Sequence, residues 1–84
     1  VKLMHIKDNL INFLYDKKYF INIYDNYIYV FNYEKLITLT SVLIILKLDN
    51  FNIEIKGTNL VITKMMPSEI LIKGKIKNVG FNYE

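Results

Sequence analysis

A chain of 84 residues with net charge +3 and no cysteine has room for one domain with a thin core, and excludes both a disulfide framework and a thiolate metal site. Arginine, alanine and tryptophan are also absent, while Ile, Lys, Asn, Tyr and Phe dominate. That bias follows the codons of an AT-rich genome, and the lysines are spread rather than clustered, so a nucleic-acid partner is not expected.

In chain order, residues 5–18 read as a short amphipathic helix, with Ile6, Leu10, Phe13 and Leu14 (or Ile11 and Leu14) at three- and four-residue spacing. Its polar face is not strongly basic, so docking on its own domain is expected before membrane-surface binding. The start of the chain has no apolar core of a secretory signal. The longest uncharged run, residues 36–46, is far below the ~20 residues that cross a bilayer, and a soluble chain is expected. The division is therefore residues 1–18, an N-terminal segment with the helix, and residues 19–84, a β domain.

Residues 19–24 and 27–32 alternate around Asp25-Asn26, a loop suited to a type I′ hairpin. Pairing Tyr24 with Tyr27 sets Ile23 opposite Ile28 and Ile21 opposite Val30 on an aliphatic face. It sets Phe20 opposite Phe31 and Asn22 opposite Tyr29 on an aromatic one. The aromatic face is expected to pack the helix, with contact to a partner as the alternative. Tyr33-Glu34-Lys35 then leads to a short strand over residues 36–40. Residues 42–48, apolar on both faces, suggest a covered central strand. Asp49-Asn50 makes a second tight turn: Leu48 faces Phe51, Leu46 faces Ile53 and Ile44 faces Ile55, leaving Asn52, Glu54 and Lys56 toward water.

Residues 57–81 organise the rest. Leu60 and Ile62 share one parity, as do Ile70, Ile72, Gly74 and Ile76, joined through Met66-Pro67-Ser68. Gly57 and Asn59 suit the positive φ of a tight hairpin. Gly74, inside a strand pattern, marks a bulge or a close backbone approach. The parity switch at Val79 and Phe81 calls for a bulge near Lys77-Asn78. The expected fold is thus all-β: a small antiparallel meander of about seven short strands forming a sandwich or roll, plus the short helix. A β-solenoid is the alternative, without a fixed period to establish it.

No active site emerges. His5 is the sole histidine and lacks a cluster of carboxylates around it, Ser41 and Ser68 lack a nucleophile-elbow context, and the glycines form no phosphate loop. The scattered carboxylates sit in turns or on solvent faces, and Met65-Met66 reads as core filling or a hairpin shoulder. No catalytic residue, cofactor, metal or small-molecule substrate is expected, and the chain reads as a non-enzyme.

The pattern Gly57-x-x-Leu60-x-Ile62, then Pro67-Ser68-Glu69-Ile70-Leu71-Ile72-Lys73-Gly74-Lys75-Ile76, then Val79-x-Phe81 resembles the C-terminal signature of the YabP/YqfC family of sporulation proteins, nearest its YqfC branch. The likeness reaches weakly back to Tyr19. Where the family often carries a Glu-Asn-His-like tripeptide, this chain has Phe31-Asn32-Tyr33. The resemblance implies a non-enzymatic structural or scaffold role in building the spore envelope, coat and cortex, at the forespore surface. It also implies a mother-cell cytoplasmic location peripheral to the forespore membrane, beside a protein partner such as a membrane protein there. Few prolines block the sheet edges, so a homo-oligomer is physically plausible. A general β interaction module unrelated to sporulation is the runner-up. A ligand or nucleic-acid binder stacking on Tyr24, Tyr27, Tyr29 and Phe31 ranks last.

Overall fold

The computed structural model describes residues 19–83, and the helix expected over residues 5–18 lies outside them. Within them the chain runs β1 (Phe20–Ile23), β2 (Tyr27–Phe31), β3 (Lys35–Leu39), β4 (Leu43–Lys47), β5 (Phe51–Met66) and β6 (Glu69–Tyr83). These strands form a single antiparallel sheet in the order β1-β2-β6-β5-β4-β3. The all-β antiparallel architecture is therefore as expected, but the order is not a simple meander, because β2 pairs with β6 and β3 lies at the opposite edge. A solenoid, whose rungs stack in parallel, is ruled out by the uniformly antiparallel pairing.

Both tight-turn hairpins have the register their sequences dictate. Ile23 lies opposite Ile28, and Phe20 opposite Phe31. In the second hairpin the Leu48 N–H donates to the Phe51 carbonyl at 2.8 Å, with Leu46 opposite Ile53 and Ile44 opposite Ile55. The strand count differs at Gly57–Asn59, where a hairpin was expected. There β5 continues through, with Asn59 at φ 54 inside a bulge that sets Thr58 to Val61 against Lys75 to Lys73. Positive-φ residues serve a bulge as well as a turn, and the long partner β6 selects the bulge. Two short strands thereby fuse, giving six instead of about seven.

The long β5–β6 hairpin turns at Pro67-Ser68 and is shared by both halves of the sheet. Its first arm carries β4 and β3 near its base, and its second carries β2 and β1 near its tip. A straight strand from Asn52 to Met66 would span about 46 Å at about 3.3 Å per residue. Yet the link between β2 and β3 touches both ends. Asn32 donates its N–H to the Ser68 carbonyl, the Tyr33 hydroxyl donates to the Met66 carbonyl at 3.0 Å, and the Glu34 N–H donates to the Lys47 carbonyl at 2.8 Å. Lys47 is the register partner of Asn52. The hairpin must therefore curl until its tip lies over its base, and the open sheet coils into a roll.

One face lines the inside of that roll. Ile28, Val30, Ile44, Leu46, Ile53, Ile55, Ile70 and Ile72 are all fully buried, and with Tyr33, Leu48, Phe51 and Leu60 they form one cluster. Fully burying each such side chain stabilises the fold by roughly 1.5–3 kcal/mol. The outer face of β4, expected to be covered, is half-buried at Leu43, Ile45 and Lys47.

Parity on β6 is kept inward by bulges. Gly57 pairs with Ile76 but Lys56 with Asn78, so Lys77 is the extra residue. Without that bulge Val79 and Phe81 would turn to the opposite face.

Candidate functional site

Gly57, Leu60 and Gly74 converge at the bulged middle of the hairpin, where it bends. A Cβ on Gly74, whose φ is +145°, would lie 2.7 Å from the Asn59 carbonyl oxygen and 2.9 Å from Leu60 Cα; one on Gly57 would collide with the Lys75 carbonyl. The two glycines let β5 and β6 approach closely enough for Leu60 to plug the bend, where it is buried. Ile70 and Ile72 belong to the core, Ile76 packs against it, and Pro67 sits in the tip turn. Most of the signature thus directs folding. Of its other members, Pro67, Lys73, Lys75 and Phe81 are exposed and Glu69 is half-buried at the surface.

Glu69 joins the aromatic face. Phe20, Tyr24, Tyr27, Tyr29 and Phe31 share the outer side of β1 and β2, and the register continues them onto β6, with Tyr27 beside Lys73, Tyr29 beside Leu71 and Phe31 beside Glu69. Tyr24 and Tyr27 stack at 4.4 Å across the Asp25-Asn26 turn, and Phe20 lies 5.7 Å from Tyr29 and 5.4 Å from Phe31. The structure brings together all of the residues singled out for stacking. They form a strip on the outside of the sheet, with Tyr24 half exposed.

The Tyr29 hydroxyl donates a hydrogen bond to Glu69 Oε1 above a shallow hollow lined by Lys64, Met66 and Leu71. Removal from water, followed by that hydrogen bond to the carboxylate, pushes the Tyr29 phenol up to about 12. Tyr27 is also raised from its ordinary value, by desolvation first and then by the neighbouring Tyr24 hydroxyl. Both phenols stay neutral near neutral pH and offer O–H groups and ring faces, not charge.

Sequence reasoning missed Tyr33. It reads in sequence only as the start of the Tyr33-Glu34-Lys35 connection, yet it is 7% exposed and ties the roll shut. Its only signal was an aromatic ring in a short connection that otherwise needs none. His5 lies outside the described residues. Met65 and Met66 stand half exposed beside the tip turn, as a hairpin shoulder would.

Among the described residues, no group of three or more His, Cys, Asp or Glu side chains is placed to hold a metal, and no helix is long and apolar enough to cross a membrane. Fold and surface together define a small rolled-sheet domain with a glycine-relieved bend and an outer aromatic strip. The YabP family model matches residues 17–84, and the chain belongs to the YabP family. Comparison with curated proteins gives no significant match, and comparison with solved structures gives none either.

Proposed function

We propose that this chain is a non-enzymatic protein of endospore formation, with a structural or scaffold role in assembling the spore envelope, coat and cortex. The observation that carries this reading is the family match, which spans the whole rolled sheet. In this reading the protein works on the mother-cell side, peripheral to the forespore membrane, and engages a protein partner there.

The surface supports action by contact. Large apolar side chains are exposed along the sheet, including Tyr24 and Val61 on its outer face, and exposed apolar surface is a feature of recognition sites. The described hollow beside Tyr29 is shallow and half open, unlike the enclosed apolar clefts that hold small molecules.

Deletion of the gene in its native host tests the proposal. The expected result is normal vegetative growth with a large loss of heat-resistant spores. Heat-resistant spores at the wild-type titre would overturn the role.

A further inference from the structure

Among the described residues the rolled sheet has several edges without a partner strand, and all but one carry a feature that discourages pairing. β1 is only four residues long, and β3 is broken by a bulge at Ile37. The outer half of β5 is interrupted by bulges before Val61 and at Thr63, carries Lys64, and runs into Pro67. Short length, bulges, lysine and proline are the means by which sheets keep their edges from meeting other strands.

Past the bulge at Lys77, residues 79–83 at the end of β6 have none of them. β2 pairs along β6 as far as Lys73, and the turn before it reaches Ile76, whose N–H donates to the Asp25 carbonyl at 3.1 Å. Among the described residues, only β5 pairs with β6 beyond that point. Val79, Gly80, Phe81, Asn82 and Tyr83 include no charge, proline or bulge.

The direction of the backbone groups follows from the ladder. The Gly57 N–H donates to Val42 beside β4, so Phe51, Ile53 and Ile55 also bond toward β4, while Asn52, Glu54 and Lys56 bond toward Asn82, Gly80 and Asn78. Alternation then leaves the N–H and C=O groups of Val79, Phe81 and Tyr83 pointing outward. Their side chains lie on the apolar side of the sheet: Phe81 is 49% and Tyr83 66% exposed, with Phe51 centred 5.7 Å and 5.3 Å from them.

We infer that this edge is a self-pairing interface, on which a second copy of the chain adds antiparallel along residues 79–83 with Phe81 at the centre. The occupant is a second copy because the edge is complementary to itself in that register. Outward-bonding residues meet outward-bonding residues, so Phe81 exchanges hydrogen bonds with its own counterpart and Val79 with Tyr83. The same register sets aromatic on aromatic and aliphatic on aromatic, with no like charges opposed. It extends the ring cluster around Phe51 into the partner. The two-fold pairing uses the edge once, so it closes at two copies. It holds whether or not the protein acts in spores.

Light scattering on the full chain, from low to high micromolar concentration, tests the pairing. The expected mass rises to twice the chain's 10.0 kDa and stops there. Phe81→Pro deletes an N–H that the monomer's own ladder does not use, and is expected to stay at the single-chain mass with an unchanged far-ultraviolet spectrum. A wild-type monomer at every concentration, a polymer that grows past two copies, or a folded Phe81→Pro dimer overturns the inference. Should Phe81→Pro fail to fold, amide exchange of the wild type decides. Protection of Val79, Phe81 and Tyr83 that increases with concentration supports the pairing, and concentration-independent exchange at all of them overturns it.

Discussion

Gly74 and Leu60 occupy the same point of the bend from opposite strands: a Cβ on Gly74 would stand 2.9 Å from both Leu60 Cα and Leu60 Cδ2. Backbone and side chain both crowd that position, so neither a rotamer change nor a small shift relieves it.

Gly74→Ala is therefore expected to destabilise the domain by about 2 kcal/mol or more, since it adds a φ of +145° on a non-glycine residue to the contact with Leu60. Gly57→Ala meets the Lys75 carbonyl and is expected to be at least as costly. Gly80→Ala, with nothing within 4 Å of the added methyl, is expected to stay within about 0.5 kcal/mol of wild type. Urea denaturation of the variants side by side checks the ranking; equal losses at Gly74 and Gly80 would refute the close-approach account.

Tyr33→Phe removes only the hydroxyl that bonds the Met66 carbonyl. The expected loss is about 1 kcal/mol, the usual net worth of such a bond. Because that bond joins the closing link to the hairpin tip, faster amide exchange around Met66 should accompany the lower midpoint. An unchanged midpoint would show that the ring alone holds the link.

The inner and outer faces should respond differently to truncation. Ile72→Ala empties a fully buried site and is expected to cost 2–5 kcal/mol, on the order of known core truncations. Tyr24→Ser, on the half-exposed outer strip, is expected to cost well under that, about 1 kcal/mol at most including its stack on Tyr27. Thermal melts distinguish the two, and comparable losses would place the strip in the core.

Alkaline titration isolates Tyr29. Its phenol ionises near 12 in the fold against an ordinary value of about 10 in the unfolded chain. The unfolded chain therefore releases this proton first as pH rises. The stabilisation is complete below about pH 10 and is lost as pH climbs through about 12. The stability advantage of wild type over Tyr29→Phe should narrow across that window, and the tyrosinate absorbance step near pH 12 should lose one tyrosine's amplitude in the variant. A constant gap would remove Tyr29 as the source.

How much of this was legible in the sequence depended on range. The Asp25-Asn26 and Asp49-Asn50 hairpins were readable to the residue, because a two-residue turn fixes every pairing beyond it. The bulge at Lys77 was readable too, since apolar parity breaks between Ile76 and Val79. Gly57 and Asn59 misled: the positive φ of Asn59 is common to turns and bulges, and Gly57 is needed for its close approach to the Lys75 carbonyl, so only the length of β6 decides between turn and bulge. Tyr33 and the free edge of β6 were not legible: one depends on the tip of a hairpin curling back, and the other on which strands fail to arrive. The aromatic strip was visible as a pattern, but its place on the outside of the sheet required the fold.

The sharing of one hairpin by both halves of the sheet also bears on how the molecule comes apart. β2 and β4 each lie directly against an arm of that hairpin, while β1 and β3 hang from β2 and β4. Neither half retains a complete set of partners once the hairpin opens. Unfolding should accordingly be all-or-none, with the amides of β5 and β6 reporting the same opening free energy at tip and base, and with no half-folded species at equilibrium.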